Sequence, residues 1–132
     1  EKDFQQLRII ENLVFEKKVN TKVVRCETLR EVDGLALSSR NSKLSFSSKK
    51  IATNLFKALN FAKEKFSTLD IFEIEKKVTE KMRAHPEIKL VYFMIADEEK
   101  LEPSISRNNK KNRAFIAAYI SGVRLIDNIK LY

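Results

Sequence analysis

One short segment of the sequence carries the side chains best suited to bind phosphate. Residues 37–40 read Leu-Ser-Ser-Arg and follow Gly34, one of only two glycines in the chain. The hydroxyls of Ser38 and Ser39 and the guanidinium of Arg40 are donors that match phosphate oxygens. Because Ser-Ser-Arg-Asn also occurs in solvated turns, the segment by itself predicts only a flexible loop with a candidate anion site.

A second candidate lies at the start of the chain. Lys2 and Asp3 directly precede a segment whose apolar residues recur at helical spacing. Asp3 is placed as an N-cap, with Gln6 three positions on as in a capping box. A helix start also attracts anions, and Lys2 adds a positive charge beside it. The two segments together support the hypothesis of a phosphate-bearing ligand, while a capped helix is the purely structural alternative.

Three blocks in a fixed order make the sequence resemble a known family. They are Lys-Asp-Phe-Gln-Gln at residues 2–6, Asp-Gly-Leu-Ala-Leu-Ser-Ser-Arg-Asn at residues 33–41 and Arg-Leu-Ile-Asp-Asn at residues 124–128. In order and spacing they resemble the C-terminal part of the pantothenate synthetases (pantoate–β-alanine ligases). That family activates pantoate with Mg-ATP to a pantoyl adenylate, releases pyrophosphate, and lets β-alanine displace AMP. The resemblance implies an ATP-dependent ligase that uses ATP with Mg²⁺.

The resemblance assigns ligand contacts to the first residues of the chain. Glu1, Lys2 and Asp3 match the family's segment that contacts ATP. Gln6 matches the glutamine that binds pantoate. Leu29 takes the position whose backbone touches the adenine, so its side chain is not expected to matter.

Residues 37–40 resemble the family's counterpart of the Lys-Met-Ser-Lys-Ser loop of class I aminoacyl-tRNA synthetases. The resemblance implies that Leu37, Ser38, Ser39 and Arg40 contact ATP. It implies that Ser38, Ser39, Arg40 and Lys2 are catalytic. Donors aimed at the transferred adenylyl group and the departing pyrophosphate stabilise the transition state more than the ground state. No residue is assigned to a metal, because Mg²⁺ would arrive bound to ATP.

The secondary structure that would carry these residues divides into two parts. A helix ending at Asn20 and a strand at residues 22–27 resemble the last unit of a Rossmann-like nucleotide-binding domain, so residues 1–28 are predicted to be its remnant. Residues 29–132 are predicted to form a C-terminal α+β lid domain with helices packed on a small antiparallel sheet. Its predicted elements are a helix capped by Ser45 or Ser47, a helix capped by Asp70, and strands at residues 89–96, 113–120 and 123–129.

The resemblance also identifies what the sequence lacks. The family's first half carries a His-x-Gly-His motif and another substrate glutamine, and the single histidine here, His85, does not match that motif. No second ligand is spaced to make His85 a metal site. We therefore expect a fragment that makes no pantothenate alone and that docks on its own N-terminal nucleotide-binding domain. The intact enzyme is expected to be a cytoplasmic homodimer.

The net charge of +8 leaves one alternative open, a small basic nucleic-acid-binding module. It would use Lys110, Lys111 and Arg113. Lysines and glutamates are interspersed through most of the sequence, which favours a solvated loop at this cluster and makes nucleic acid the weaker hypothesis. No apolar run approaches the roughly 20 residues of a membrane span.

Two further expectations concern packing. Cys26, the only cysteine, lies in an apolar run and is expected to be a small buried side chain rather than a reactive thiol. Arg124 and Asp127 are charged residues in an otherwise apolar strand, and a mutual or partly buried ion pair that fixes the sheet edge is expected there.

Overall fold

A three-stranded antiparallel sheet with helices packed on it forms the body of the protein. The computed structural model describes residues 1–107 and 111–132. In chain order it contains helix α1 (Phe4–Glu16), a 3₁₀ helix (Ser39–Lys43), helices α2 (Phe46–Lys65) and α3 (Ile71–Arg83), and strands β1 (Ile88–Asp97), β2 (Asn112–Ile120) and β3 (Val123–Lys130). The predicted α+β fold is confirmed, whereas a domain boundary between residues 28 and 29 stays a prediction.

The strands neighbour one another in chain order, β1-β2-β3, through two antiparallel pairs. β2 and β3 are joined by Ser121 and Gly122, both with positive φ, as a tight hairpin turn requires. All three predicted strands are present.

One face of the sheet is covered by α2 and α3. The core between the helices and the strands is apolar, and Leu59, Ile74, Ile95 and Ile116 are fully buried in it. Both helices begin where their capping residues predict. The Ser45 hydroxyl accepts from the Ser48 amide at 3.1 Å, and an Asp70 carboxylate oxygen accepts from the Glu73 amide at 2.7 Å.

The opposite face of the sheet receives the start of α1, and Leu101 packs against the same cluster. Phe4 is buried against Phe115 and Ala96, with the two phenyl centroids 6.0 Å apart, and Leu7 packs at the border of this cluster. The chain therefore places the Lys2 segment on one face of the sheet and α2 on the other. Within the described residues, no helix is long and apolar enough to span a bilayer.

The prediction for the first 28 residues was wrong in three details. Asp3 precedes α1, but its ψ of 58° lies outside the extended region that a cap needs, and its side chain makes no capping bond. The helix ends at Glu16 because Lys18 adopts a left-handed φ of 50°, before Asn20 is reached. Residues 22–27 form no strand, because no described segment supplies ladder hydrogen bonds to them.

Cys26 is exposed rather than buried. The expectation rested on a strand packed into a core, and without that strand its side chain has nothing to pack against. Most apolar residues of α1 beyond its first turns are exposed as well, among them Ile9, Leu13 and Phe15.

Residues 29–37 form a hydrogen-bonded hairpin that leads into the 3₁₀ helix (Ser39–Lys43), rather than the flexible loop predicted. The Leu37 amide donates to the Leu29 carbonyl at 2.9 Å, and the Glu31 amide donates to the Leu35 carbonyl at 2.8 Å. Leu35 and Ala36 are buried. We call residues 29–37 the hairpin and residues 37–40 the Ser-Ser-Arg loop below.

Gly34 is required at the tip of the hairpin. Its φ of +91° is disfavoured for other residues, and a Cβ there would overlap the Phe56 ring. We expect Gly34→Ala to lower the free energy of unfolding, measured in urea, by about 2–3 kcal/mol. Gly122→Ala is the matched control, because its φ is +77° but nothing lies within 4 Å, so it should cost only about 1 kcal/mol. Equal losses would show that the overlap with Phe56 has no effect.

Glu75 protects the outer edge of the sheet. Its carboxylate accepts from the Ile95 amide of β1 at 2.8 Å, a donor that β2 does not use. Burial raises the pKa of Glu75 above its usual 4.5, and the Ile95 hydrogen bond opposes this in part. The folded protein thus holds the proton more tightly than the unfolded chain. Any stability gained from this proton is fully present below pH 4.5 and is lost as the pH rises through the folded-state pKa.

Glu75→Gln keeps the side-chain oxygen that accepts from Ile95 and cannot ionise. We therefore expect the variant to gain stability relative to the parent as the pH is raised from 4 to 7. Urea denaturation at both pH values measures the difference. A difference that does not change with pH would contradict the assignment of Glu75 as a carboxyl whose charge is disfavoured by burial.

Candidate functional site

A small pocket at the edge of β3 brings the two predicted segments together. Lys2 reaches it from the start of α1, and Ser38 and Arg40 reach it from the Ser-Ser-Arg loop. Residues of α2 and β3 complete the wall, among them Phe56 and Arg124. Two segments that lie more than 30 positions apart in the sequence therefore line one site.

The pocket is positively charged. Lys2, Arg40 and Arg124 line it, and neither arginine is paired with a carboxylate among the described residues. Asp127, which also lines it, is neutralised by Arg30 through bonds of 2.6 and 2.9 Å. Unpaired guanidinium groups beside a lysine form an environment that attracts a phosphate-bearing ligand.

The cavity volume of this pocket is about 10 Å³. That is room for roughly one water molecule and far too little for a nucleotide. Arg40 lines this pocket and is also exposed to solvent.

The Ser-Ser-Arg loop has a defined backbone. Ser38 is the N-cap of the 3₁₀ helix, and its hydroxyl accepts from the Arg40 amide at 3.2 Å. The Ser39 carbonyl accepts from the Ser42 hydroxyl at 2.8 Å. The Ser39 side chain is exposed and is not among the residues that line the pocket. The loop presents Ser38 and Arg40 on one side and Ser39 to solvent.

A second, adjoining pocket contains the residue predicted to bind pantoate. Gln6 and Asp3 line it, and Lys2 and Asp127 line both pockets. The cavity volume of this second pocket is about 100 Å³, compared with about 10 Å³ for the first pocket. The structure therefore places Lys2 between the loop and Gln6, as a shared site would require.

Four of the predicted contact residues line neither of these two pockets: Glu1, Leu29, Leu37 and Ser39. The Glu1 carboxylate lies 3.3 Å from Arg113 and 3.6 Å from Lys130. The side chains of Leu29 and Leu37 are exposed, and their backbones bond to each other across the hairpin.

Sequence reasoning missed the residues that hold the site. Asn41 is buried, lines the first pocket, and donates to the Ala36 carbonyl at 3.1 Å, while its Oδ1 has no donor among the described residues. Asp127 forms a largely buried ion pair with Arg30, so the expected ion pair is present at Asp127, but a mutual pair with Arg124 was wrong. Side chains three positions apart on a strand lie on opposite faces, which keeps these two apart.

Arg113 lies inside a buried polar network rather than on a nucleic-acid-binding surface. Its side chain is 2% exposed and contacts Glu98 at 2.7 Å, Asn128 and the Phe4 ring. Lys111 is exposed, and Lys110 lies outside the described residues. The nucleic-acid hypothesis thus loses one of the three cations on which it rests.

Nothing in the described ranges 1–107 and 111–132 forms a metal site, since no group of three histidine, cysteine or acidic side chains converges there. His85 lies directly before Pro86, away from both pockets.

Fold and pockets together define an α+β protein with a cationic pocket beside the Ser-Ser-Arg loop. The chain belongs to the pantoate–β-alanine ligase family, whose model matches residues 1–130. The resemblance inferred from the three sequence blocks is therefore confirmed.

Individual relatives support the family assignment. The pantothenate synthetase of Flavobacterium psychrophilum is 44% identical over 132 residues, which are 99% of this chain and 47% of that protein. The pantothenate synthetase of Christiangramia forsetii is 43% identical with the same coverage. The chain thus spans about half the length of the curated relatives that it matches.

Solved structures share the fold. A crystal structure of pantothenate synthetase from Thermus thermophilus matches with a TM-score of 0.93 and 36% identity, over all of this chain and 48% of the other. The Francisella tularensis ligase, complexed with β-γ ATP and β-alanine, matches with a TM-score of 0.66 and 36% identity, over 99% of this chain and 41% of the other.

Proposed function

We propose that these residues supply the C-terminal part of a pantoate–β-alanine ligase. The reaction is the ATP-dependent condensation of pantoate with β-alanine through a pantoyl adenylate, with release of pyrophosphate and AMP. The observation that carries the proposal is the convergence of Lys2, Ser38 and Arg40 on one cationic pocket, in a chain that belongs to this family. A relative solved in complex with β-γ ATP and β-alanine supports the choice of substrates.

In this proposal the pocket binds the phosphates of ATP. Arg40 and Lys2 provide the positive charge and Ser38 a hydroxyl donor, while Ser39 contacts the ligand from the exposed side of the loop. Donors fixed in place before the reaction stabilise the charge that develops as pyrophosphate leaves. In this proposal Mg²⁺ arrives bound to the phosphates of ATP. The described residues contain no group of three side chains that could hold a metal ion by themselves.

The second pocket takes pantoate. Gln6 lines it next to Lys2, so an acid bound there lies beside the phosphates in the first pocket. The Leu29 carbonyl already accepts from Leu37, but a carbonyl has a second lone pair that can accept from an adenine amine. Glu1 and Asp3 contact ATP near the start of α1.

A chimeric enzyme tests the proposal. The N-terminal half of the Flavobacterium psychrophilum relative, joined to these 132 residues, is expected to make pantothenate from pantoate, β-alanine and ATP. The 132-residue chain alone and the relative's N-terminal half alone are the controls, and both should be inactive. A folded chimera without activity would refute the proposal, and turnover by the 132 residues alone would refute the division of the site between two halves.

A further inference from the structure

Two neighbouring residues of β3 hold the two sides of the site from opposite faces of the sheet. Consecutive residues of a strand point to opposite faces. Asp127 therefore points to the α2 face, and Asn128 points to the face on which α1 begins. Both side chains are nearly fully buried, at 5% and 4% exposure.

Asp127 fixes the hairpin. Its two carboxylate oxygens accept from the Arg30 guanidinium at 2.6 and 2.9 Å, a bidentate pair with a defined orientation. Arg30 also donates to the Gly34 carbonyl at 3.0 Å and stacks 4.0 Å from the centre of the Phe56 ring. The hairpin leads directly into the Ser-Ser-Arg loop, so its position sets that of Arg40.

Asn128 fixes the backbone before α1. Its amide nitrogen donates to the Lys2 carbonyl at 2.8 Å and to the Glu1 carbonyl at 3.1 Å. Its amide oxygen accepts from the Arg113 guanidinium, which determines which way the amide faces. The backbone of Lys2 is thereby tied to the strand whose neighbouring residue holds the hairpin.

We propose that Asp127 and Asn128 are positioning residues that set the separation between Lys2 and the Ser-Ser-Arg loop. The proposal rests on the proposed function, because it names what aligns the groups around the reacting phosphate. Adenylate formation needs both groups at once, and a displacement of about 1 Å can cost on the order of 100-fold in rate. Neither residue needs to touch the substrate.

Asn128→Asp is the sharpest variant. It keeps the size and the oxygen that Arg113 contacts, but it replaces the donor to the Lys2 and Glu1 carbonyls with an acceptor. Asp127→Asn similarly removes the negative charge and one of the two oxygens that accept hydrogen bonds from the Arg30 guanidinium. Asn60→Asp makes the same chemical change on α2, away from both pockets, and is the matched control.

The chimera separates positioning from a merely structural role, because its two half-reactions can be measured one at a time. Asn128→Asp and Asp127→Asn should each slow pantoate-dependent pyrophosphate exchange by about 10- to 100-fold. Transfer from preformed pantoyl adenylate to β-alanine should change less than threefold. An equal loss in both half-reactions, or no loss in the first, would overturn the proposal.

A distance measurement tests the geometry without activity. Spin labels at Ile9→Cys and Val32→Cys, both exposed positions, are placed in the 132-residue chain with Cys26→Ser. One narrow distance is expected in the parent and in Asn60→Asp, and a shifted or broadened one in Asn128→Asp. An unchanged distance would overturn the proposal. An inactive parent chimera would instead refute the proposed function. The distance measurement would then still test whether Asn128 sets the position of α1 relative to the hairpin.

Discussion

Arg40→Ala in the chimera is expected to slow pantoyl adenylate formation by about 100- to 1,000-fold, the effect of removing one preorganised donor from a developing negative charge. Arg40 lines the cationic pocket with Lys2 and is paired with no described carboxylate, so its guanidinium is available to the phosphates. Pyrophosphate release with pantoate and ATP measures the step directly. The loss should appear mainly in kcat, because the charge develops in the transition state.

Two further variants control for the loss of Arg40. Arg40→Lys keeps the charge without the forked donor and should fall between the parent and Arg40→Ala. Arg83→Ala removes an exposed arginine from the end of α3 and should leave the rate unchanged. Unchanged pyrophosphate release in Arg40→Ala would refute the role assigned to this residue.

Arg113→Met is expected to lower the free energy of unfolding by about 3–5 kcal/mol, because it leaves a buried charge without its partner. The side chains of Arg113 and Glu98 are 2% and 4% exposed, and their closest atoms are 2.7 Å apart. After the substitution the Tyr132 hydroxyl, 2.9 Å away, still donates to Glu98 but cannot neutralise it. Urea denaturation of the 132-residue chain at pH 7 measures the loss.

The double variant Arg113→Met with Glu98→Gln should recover part of that loss, since the orphaned charge is then gone. Arg83→Met, which removes an exposed arginine, should cost less than about 0.5 kcal/mol. If Arg113→Met cost no more than this control, the buried network would contribute nothing to stability.

The elements that local sequence determines could be predicted. Ser45 and Asp70 mark the starts of α2 and α3. Each cap accepts a hydrogen bond from an amide only three positions away, so the interaction can be predicted from a short stretch of sequence. The strands were found because apolar runs between turn residues mark them. Residues 22–27 have the composition of a strand but no partner strand, and a partner is a tertiary property that composition does not contain.

The residues of the candidate site that could bind phosphate were predictable from the sequence, but the residues that hold them in position were not. Ser38, Arg40 and Lys2 were identified from residue type and order alone. The residues that hold them act over long distances in the sequence: Asp127 is 97 positions from Arg30, and Asn128 is 126 positions from Lys2. No local pattern encodes such pairs. One sequence signal was available, because Asp127 is a charged residue within an apolar strand. Its mutual partner was taken to be Arg124, whereas the structure pairs it with Arg30.

Helix α1 touches the sheet mainly through Phe4 and Leu7, at one end of its 13 residues. At 1.5 Å per residue the helix is about 20 Å long, so it behaves as a lever pivoted near Phe4. A tilt of about 10° at the pivot moves the far end by roughly 3 Å and the backbone of Lys2 by a small fraction of that. Residues 17–26 would move with the helix, because Arg25 binds Glu11 at 2.5 and 2.7 Å, whereas Lys2 and the Ser-Ser-Arg loop would keep their spacing.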